Sequence, residues 1–334
     1  MSEHQLSNFD STYHAPVMWG EVVSIFESCS GVMLDGTLGG GGHSLALLTQ
    51  VKTLRILGLD RDDQAIAFAG SRLQGFGTRI RIEKASFSLL EEVLESNGVQ
   101  DFFEGQNLVG ALFDLGVSSH QLDDPIRGFS FRNSGPLDMR MDQQGRFDLQ
   151  SYLMTVAVQD LARAIAENGE RRFARLLARK LIEAARSGSL SNTADLREVV
   201  LANLPKAYLG AKKDPATKVF QALRIEVNDE LTELDHLLEA VGEVFAPGSR
   251  ICIISYHSGE DQRVKRAFTK LVGGGCICPT LLACVCGAQV RARFVHKLLR
   301  PTELEVQSNP RSRSARLRAI EIVSPIAVAA LRGA

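Results

Sequence analysis

The sequence predicts an α/β protein with an open, mainly parallel sheet that is interrupted by a helical insertion. Four apolar runs alternate with helix-like segments in the first third of the chain, as in folds that wind helices around parallel strands. A glycine-rich turn follows the first run. About 100 residues separate the fourth run from the fifth, whereas a crossover needs about a dozen. These three observations define the expected architecture.

The composition is that of an ordinary globular protein. The 334 residues are 45% hydrophobic and 23% charged, with a formal net charge of −1. A nucleic-acid partner must therefore be argued from local clusters of charge. No apolar run reaches about 18 residues, and the polar start MSEHQLSNFD has no signal-peptide core. We expect a cytoplasmic protein without a membrane partner, and the oligomeric state is not predicted.

The stretch GVMLDGTLGGGGHS, residues 31–44, predicts a buried strand, a tight turn and a helix N-terminus aimed at a ligand. The apolar run ends at Asp35, and glycine occupies five of the next seven positions. Glycine is needed where the backbone takes positive φ or closely approaches a ligand. Helix N-termini attract anionic groups. A flexible loop without a ligand is the alternative.

Three further strands are predicted to end at the same edge of the sheet. The second, at 54–60, ends at Asp60, 25 positions after Asp35, close to the spacing of the acid that binds a ribose diol in nucleotide-binding folds. Asp60 could instead cap the next helix. The third strand, at 79–87, ends at Phe87, and the fourth ends at Asp114. Ligands of open α/β folds bind at this edge.

The glycine turn matches neither common phosphate-binding motif. In G-x-G-x-x-G the third glycine would fall on Ser44 or Leu45, and G-x-x-x-x-G-K-[ST] is absent. A ligand with a carboxylate, an ammonium and a ribose fits better, because the helix N-terminus can hold the carboxylate. S-adenosylmethionine has these groups, so the residues favour a methyltransferase, with Asp114 near the adenine or the transferred methyl. An NAD-dependent oxidoreductase is the weaker alternative.

The second half of the chain completes the sheet after the insertion. One helix is predicted from Glu226 to Phe245, followed by a fifth strand at 249–258. Strands at 294–302 and 316–323, with no helix between them, predict an antiparallel pair at the sheet edge. The domains are therefore expected at 1–117 and 222–334, which form one α/β domain, and at 118–221, which forms a helical substrate-recognition insert.

Basic residues cluster in two places. From Arg163 to Arg186 there are seven basic and three acidic residues, and Arg175 and Arg179 lie on the polar face of an amphipathic helix. Between Arg291 and Arg318 there are eight basic and two acidic residues. Such faces contact nucleic acid or only solvent, and charge alone leaves both readings open.

Five sequence blocks, in order, resemble the MraW family of bacterial ribosomal small-subunit RNA (cytosine-N4) methyltransferases. The resemblance runs from about His14 to Arg318. The blocks are DGTLGGGGHS, DLGVSSHQLDDPIRGFSFRNSGPLDMRMD, DPATKVFQALRIEVNDEL, ISYHSGEDQRVKR and NPRSRSARLR.

The resemblance implies a Rossmann-like class I S-adenosylmethionine-dependent methyltransferase fold with an inserted helical domain. It implies N4-methylation of a decoding-centre cytidine in the 16S ribosomal RNA of the 30S subunit. The alternatives are another RNA or DNA amino base, or a non-catalytic ribosome assembly factor. The implied cofactor contacts are Gly41, Gly42, His43, Asp60, Phe87, Asp114 and Gln121, with Phe87 packing on the adenine.

The chain departs from the family pattern near the expected acceptor site. Tyr256 stands where the family commonly has Phe, Gly259 where Leu is usual, and Gln262 where Arg is common. These positions concern details of the substrate more than the cofactor.

Transfer of a methyl group to an exocyclic amine requires alignment of both reactants and acceptors near the amine. Asp114, then Ser118, is the expected polar contact at the reacting centre. The cytidine must leave any stack to reach the methyl group, and Tyr256 or Phe129 is expected to stack on it. The residues expected to bind substrate are Arg175, Arg179, Tyr256 and His257.

Two C-x-C pairs near the C-terminus form a candidate zinc site. The four residues are Cys276, Cys278, Cys284 and Cys286. Four thiolates so close together can hold Zn²⁺ tetrahedrally, although the spacing differs from the common C-x₂₋₄-C. Free or redox-labile thiols are the alternative, and the methyl transfer itself needs no metal.

Overall fold

A computed structural model of the protein describes residues 16–145, 147–168, 170–209, 214–279 and 284–327. The chain divides into two compact units, which are 1–116 together with 232–334, and 117–231. We call them the sheet unit and the helical unit. The domain bounds of 118–221 remain a prediction, and the helical unit runs from Val117 to Leu231.

Within the described residues, the sheet unit is built on seven strands in the order β3-β2-β1-β4-β5-β7-β6. Strands β1 to β5 are parallel, and β7 runs antiparallel between β5 and β6. This topology confirms the Rossmann-like fold and the antiparallel pair. The strands are β1 (Gly31–Asp35), β2 (Leu54–Asp60), β3 (Ile80–Lys84), β4 (Leu108–Asp114), β5 (Arg250–Ser255), β6 (Gln289–Leu299) and β7 (Arg316–Ala327).

Helices cover the sheet and form the helical unit. In chain order they are α1 (Trp19–Phe26), α2 (Gly42–Gln50), α3 (Asp63–Leu73), α4 (Leu90–Glu95), α5 (Asn97–Phe103), α6 (Ser119–Asp123), α7 (Leu149–Thr155), α8 (Val158–Asn168), α9 (Ala174–Arg186), α10 (Thr193–Ala202), α11 (Lys206–Leu209), α12 (Ala216–Val227), α13 (Glu230–Val244), α14 (Ser258–Gly273) and α15 (Glu303–Ser308). The helices α6 to α12 confirm that the insertion is helical.

Both faces of the central strands are buried, as expected for parallel strands with near-continuous apolar runs. All five residues of β1 are buried. On one face Met33 and Ile56 pack with residues of α1 and α2. On the other face Val32 and Leu57 pack with residues of α13 and α14. The ends of β1, β2 and β4 are therefore held by two apolar layers. The helical unit has a separate core, in which α9 contributes Leu177 and Leu181.

Several predicted boundaries were wrong. The third strand ends at Lys84, and Phe87 begins a 3₁₀ turn instead. The predicted single helix at 226–245 is broken, because α12 ends at Val227 and α13 starts at Glu230. Asp229 between them adopts a positive φ of 51°, which helical backbone does not allow.

A helix also lies between β6 and β7, where none was predicted. Thr302 caps the six-residue α15 by accepting a hydrogen bond from the Glu305 N–H. The segment is too short to show helical periodicity, so its local signals were the capping residue and the two acidic residues of its first turn.

Candidate active site

The glycine turn after β1 lies close to the neighbouring strand β4. The Gly36 N–H donates to the Leu112 carbonyl at 2.9 Å. A side chain at Gly36 would meet the Phe113 ring at 2.2 Å, so this position requires glycine. Gly39 and Gly41 take φ values of 50° and 70°, which other residues adopt only with strain. The turn is thus shaped by its glycines and leads directly into α2.

Asp60 faces this turn from the end of β2. One carboxylate oxygen accepts the Gly39 N–H at 2.7 Å, and the other accepts the Asp62 N–H at 2.9 Å. Burial raises the pKa of Asp60 to about 6 despite these two donors. A carboxylate offers about four acceptor positions, which leaves capacity for a diol. The cap of α3 is Asp62, which accepts the Gln64 N–H, so the capping alternative for Asp60 is wrong.

Asp114, at the end of β4, has neighbours on three sides. Its Oδ1 accepts a hydrogen bond from the Tyr256 hydroxyl at 2.7 Å. Its Oδ2 lies 3.7 Å from His43 Nδ1. Its backbone N–H donates to Thr37 Oγ1 at 2.6 Å. Burial and the adjacent Asp114 carboxylate raise the pKa of Tyr256 well above its usual value, so this hydroxyl remains a donor. The carboxylate therefore has a fixed orientation.

His43 connects Asp114 to the segment before α1. Its Nε2 lies 2.9 Å from the Val17 carbonyl oxygen, and because a carbonyl can only accept, Nε2 carries the proton. In the neutral ring, Nδ1 then faces Asp114 without a proton. The same segment lies over the turn, since a side chain at Gly42 would meet Pro16 at 3.2 Å. His43 is thus fixed at the start of α2, and its predicted contact with the cofactor stays a prediction.

A third carboxyl group, Asp35, lies at the end of β1. It is buried and accepts a hydrogen bond from Ser44 Oγ at 2.7 Å. Burial raises its pKa, against that hydrogen bond and the nearby His43. Asp35, Asp60 and Asp114 therefore end three adjacent strands around one glycine turn. Such an edge favours a ligand that carries positive charge.

The unpredicted helix α15 also contributes to this edge. Glu305 accepts the Met18 N–H at 2.7 Å and so anchors the segment over the glycine turn. Burial raises the pKa of Glu305. Sequence reasoning missed Glu305 and Thr37 because their partners are 287 and 77 positions away.

Phe87 and His257 lie near the strand ends in different settings. Phe87 is half-buried and packs edge-to-face on Phe113, with ring centroids 5.9 Å apart. His257 caps α14, where its Nδ1 accepts the Gly259 N–H at 3.2 Å. Its Nε2 lies 3.1 Å from a Glu260 oxygen. Capping therefore accounts for one ring nitrogen of His257, and its predicted contact with substrate stays a prediction.

The other predicted site residues belong to the helical unit. Ser118 and Gln121 form a reciprocal capping box at the start of α6. Arg175 and Arg179 are exposed on α9. Phe129 is only 5% exposed and packs in the core of this unit, so its predicted stacking on a base was wrong.

No helix in the described ranges combines the length and the apolar character needed to cross a membrane. The four clustered cysteines lie in the connection between α14 and β6, away from the ends of β1, β2 and β4 along the chain.

Comparison with known proteins identifies relatives over almost the whole chain. A ribosomal RNA small subunit methyltransferase H from Anaeromyxobacter dehalogenans is 43% identical over 311 residues, covering 92% of this chain and 97% of the relative. The protein of that name from Carboxydothermus hydrogenoformans is 40% identical over 314 residues, covering 93% and 98%.

Among solved structures, an rRNA methylase from Streptococcus thermophilus aligns with a TM-score of 0.37 and 10% identity, over 92% of this chain and 95% of that one. Residues 11–323 match the MraW methylase family as a whole. Because this match covers almost the whole chain and parts of both units, the chain belongs to the MraW methylase family.

Proposed function

We propose that this protein transfers a methyl group from S-adenosylmethionine to the N4 atom of a cytidine in 16S ribosomal RNA. The observation that carries the proposal is the edge formed by Asp35, Asp60 and Asp114 around the glycine turn, in a chain of the MraW methylase family. The relatives named as ribosomal RNA small subunit methyltransferases support the acceptor. The family resemblance supports a cytidine at the decoding centre.

The residues at this edge fit S-adenosylmethionine. Its sulfonium and ammonium groups are cationic, and the three strand-terminal carboxyl groups match that charge. When bound, it supplies a methyl group that is already activated for displacement. Asp60 has acceptor capacity for the ribose hydroxyls, and the glycine turn brings backbone N–H groups close to a ligand. The residues proposed to hold the cofactor are Gly41, Gly42, His43, Asp60, Phe87, Asp114 and Gln121.

Asp114 is the proposed contact to the acceptor amine. The hydrogen bond from the Tyr256 hydroxyl holds its carboxylate in one orientation. A carboxylate oxygen that accepts one N4–H would direct the nitrogen lone pair towards the methyl group, which is a positioning role. Ser118 is the second candidate for this contact.

The acceptor is proposed to reach the protein through basic and aromatic residues. Arg175 and Arg179 project from α9 into solvent, where they can pair with phosphates. Tyr256 and His257 follow β5 directly and are the proposed contacts to the base.

The decisive experiment identifies the methylated nucleoside. Small subunits from cells that lack this protein are incubated with it and labelled S-adenosylmethionine, and the 16S RNA is digested and analysed by mass spectrometry. We expect N4-methylcytidine in one decoding-centre fragment. A different methylated nucleoside would make the acceptor assignment wrong. Binding of S-adenosylhomocysteine without any methylation would support an assembly factor instead.

Substitution of Asp114 tests its role in the reaction. We expect Asp114→Asn to lower kcat about 100-fold, because the amide is a weaker acceptor for the amine hydrogen. The Kd for S-adenosylhomocysteine should rise by about 10-fold or less, because Asp114 is one of several residues proposed to hold the cofactor. Asp101→Asn, at an exposed position on α5, is the matched control and should retain full activity. Unchanged turnover of Asp114→Asn would remove Asp114 from the reacting centre.

The pKa of Asp60 allows a separate test of the cofactor site. Because burial raises that pKa to about 6, the free protein takes up a proton at Asp60 as the pH falls from 7 to 5. The charged form is the better acceptor for ribose hydroxyls, so the Kd for S-adenosylhomocysteine should rise up to about 10-fold over this range. Calorimetric titration measures this change. Asp60→Asn should bind weakly with little pH dependence; an equally steep dependence in that variant would exclude Asp60 as the cause.

A further inference from the structure

The connection between α14 and β6 brings four thiol groups together. The Sγ atoms of Cys276, Cys278, Cys284 and Cys286 all lie within 4.8 Å of one another. Three of the separations are 3.4 Å for 276–284, 3.5 Å for 284–286 and 3.7 Å for 276–286. The two C-x-C pairs thus meet in space, although five positions lie between them in the chain.

These separations match the ligands of one tetrahedral ion. Zinc binds thiolate sulfur at about 2.3 Å, and a tetrahedron of that radius has sulfur atoms about 3.8 Å apart. A disulfide requires about 2.05 Å. The three measured separations exceed the disulfide length by more than an ångström and lie close to the tetrahedral edge. None of the four cysteines forms a disulfide bond.

We propose that Cys276, Cys278, Cys284 and Cys286 bind one Zn²⁺ ion as a structural site. A set of four cysteine ligands fills the tetrahedral coordination of zinc, so no position remains for water or substrate. The ion would therefore hold the chain in place and take no part in the methyl transfer.

The surroundings of the cluster indicate why the loop needs a cross-link. Ile277 and Val285, between the paired cysteines, are 90% and 88% exposed, so the loop does not fold by burying them. Gly274, Gly275 and Gly287 take positive φ on either side of the cluster, which allows the chain to turn tightly. Metal binding would supply folding energy that these two exposed side chains do not provide.

The position of the cysteine cluster between α14 and β6 determines which elements the ion would connect. The cysteine cluster begins three positions after the end of α14, at Cys276. It ends at Cys286, three positions before the start of β6. The ion would thus fix the start of an edge strand relative to the helix before it. This inference is independent of the proposed function, because the test measures metal content and not methyl transfer.

Metal analysis of the full-length protein tests the proposal. Protein purified without metal-affinity resins or chelators should contain about one zinc per chain by mass spectrometry. The double variant Cys278→Ser/Cys286→Ser should contain less than about a tenth of that amount. Cys29→Ser, which changes a half-buried cysteine outside the cluster, is the matched control and should retain the zinc. Circular dichroism verifies that each variant is folded.

A second measurement on the unmodified chain keeps the test independent of the variants. Replacement of zinc by Co²⁺ should produce the thiolate charge-transfer and visible bands of a tetrahedral sulfur site. Freshly purified protein that lacks zinc and fails to bind Co²⁺ in this form would overturn the proposal. A stoichiometric disulfide between any two of the four cysteines would overturn it as well.

Discussion

Two regions of this protein are similarly basic in sequence but use their arginines differently. On α9, Arg175 and Arg179 are exposed, while Leu177 and Leu181 on the opposite face pack in the core of the helical unit. On β7, Arg318 is only 5% exposed. Its Nε donates to Asp261 at 2.8 Å, and Arg316 donates to the same carboxylate at 2.7 Å.

The difference follows from what surrounds each element. β7 lies between two strands and buries Arg318, so the partner of this arginine must lie inside the protein. α9 has one buried face, and its basic side chains extend from the other. A count of basic residues therefore does not identify a nucleic-acid surface until the neighbours of the element are known.

The largest expected effect is the loss of stability when Arg318 is removed. Arg318→Ala should lower the free energy of unfolding by about 3 kcal/mol, because Asp261 would remain buried with one cationic partner fewer. Urea denaturation measures this change. The control is Arg293→Ala on β6, whose side chain is 69% exposed, and its effect should be about 0.5 kcal/mol or less. Equal losses in both variants would contradict the distinction between internal and surface arginines.

The ion pair between Arg318 and Asp261 should make the stability loss of Arg318→Ala depend on pH. Burial alone would raise the pKa of Asp261, but the hydrogen bonds from Arg318 and Arg316 lower it overall. A lowered pKa adds stability above the unfolded value of about 3.9, and this stability is lost as the pH falls through the folded-state pKa. The difference in free energy of unfolding between the unmodified protein and Arg318→Ala should have its full value at pH 7. It should become smaller below about pH 4.

Urea denaturation at several pH values measures that difference directly. Comparing the two proteins at each pH cancels the groups that titrate equally in both. A difference that stays constant down to pH 3 would show that the loss comes from packing of the arginine side chain and not from the charge pair.

On α9 the expected effect is on RNA binding. Arg175→Glu/Arg179→Glu should weaken binding to 16S RNA at least about 10-fold and reduce the slope of log K against log salt by about 2. The matched control is Arg266→Glu/Lys270→Glu, which reverses two exposed charges at the same spacing on α14. If this control weakens RNA binding equally, total charge and not the α9 face determines the affinity.

The smallest expected effect is on stability at α9. Arg179 lies 3.7 Å from Glu183, and both side chains are more than half exposed. Arg179→Ala should therefore change the free energy of unfolding by about 0.5 kcal/mol or less. A loss comparable to that of Arg318→Ala would mean that α9 also uses its arginines internally.

Much of the sheet and of the glycine turn was predictable because their signals are local. The apolar runs before Asp35, Asp60 and Asp114 are short, and each ends in a polar residue at the strand terminus. Positive φ at Gly39 and Gly41 follows from residue type in a tight turn. Such features depend on neighbours only a few positions away.

The contacts that the sequence did not predict join residues that are far apart along the chain. The hydrogen bond from Tyr256 to Asp114 spans 142 positions, and the pairing of Arg318 with Asp261 spans 57. No periodicity or spacing in the chain encodes these contacts. For the same reason, the sequence favours Phe129 as a stacking residue although the fold buries it.

The place of β7 in the sheet sets an order of assembly. β7 is the last strand along the described chain, yet it separates β5 from β6. Among the described strands, β6 is hydrogen-bonded only to β7. During synthesis β6 therefore stays unpaired until β7 has been made, whereas strands β1 to β5 can already pair. A chain interrupted before Arg316 would leave the edge of β5 open and β6 unpaired, and both are templates for association with other chains.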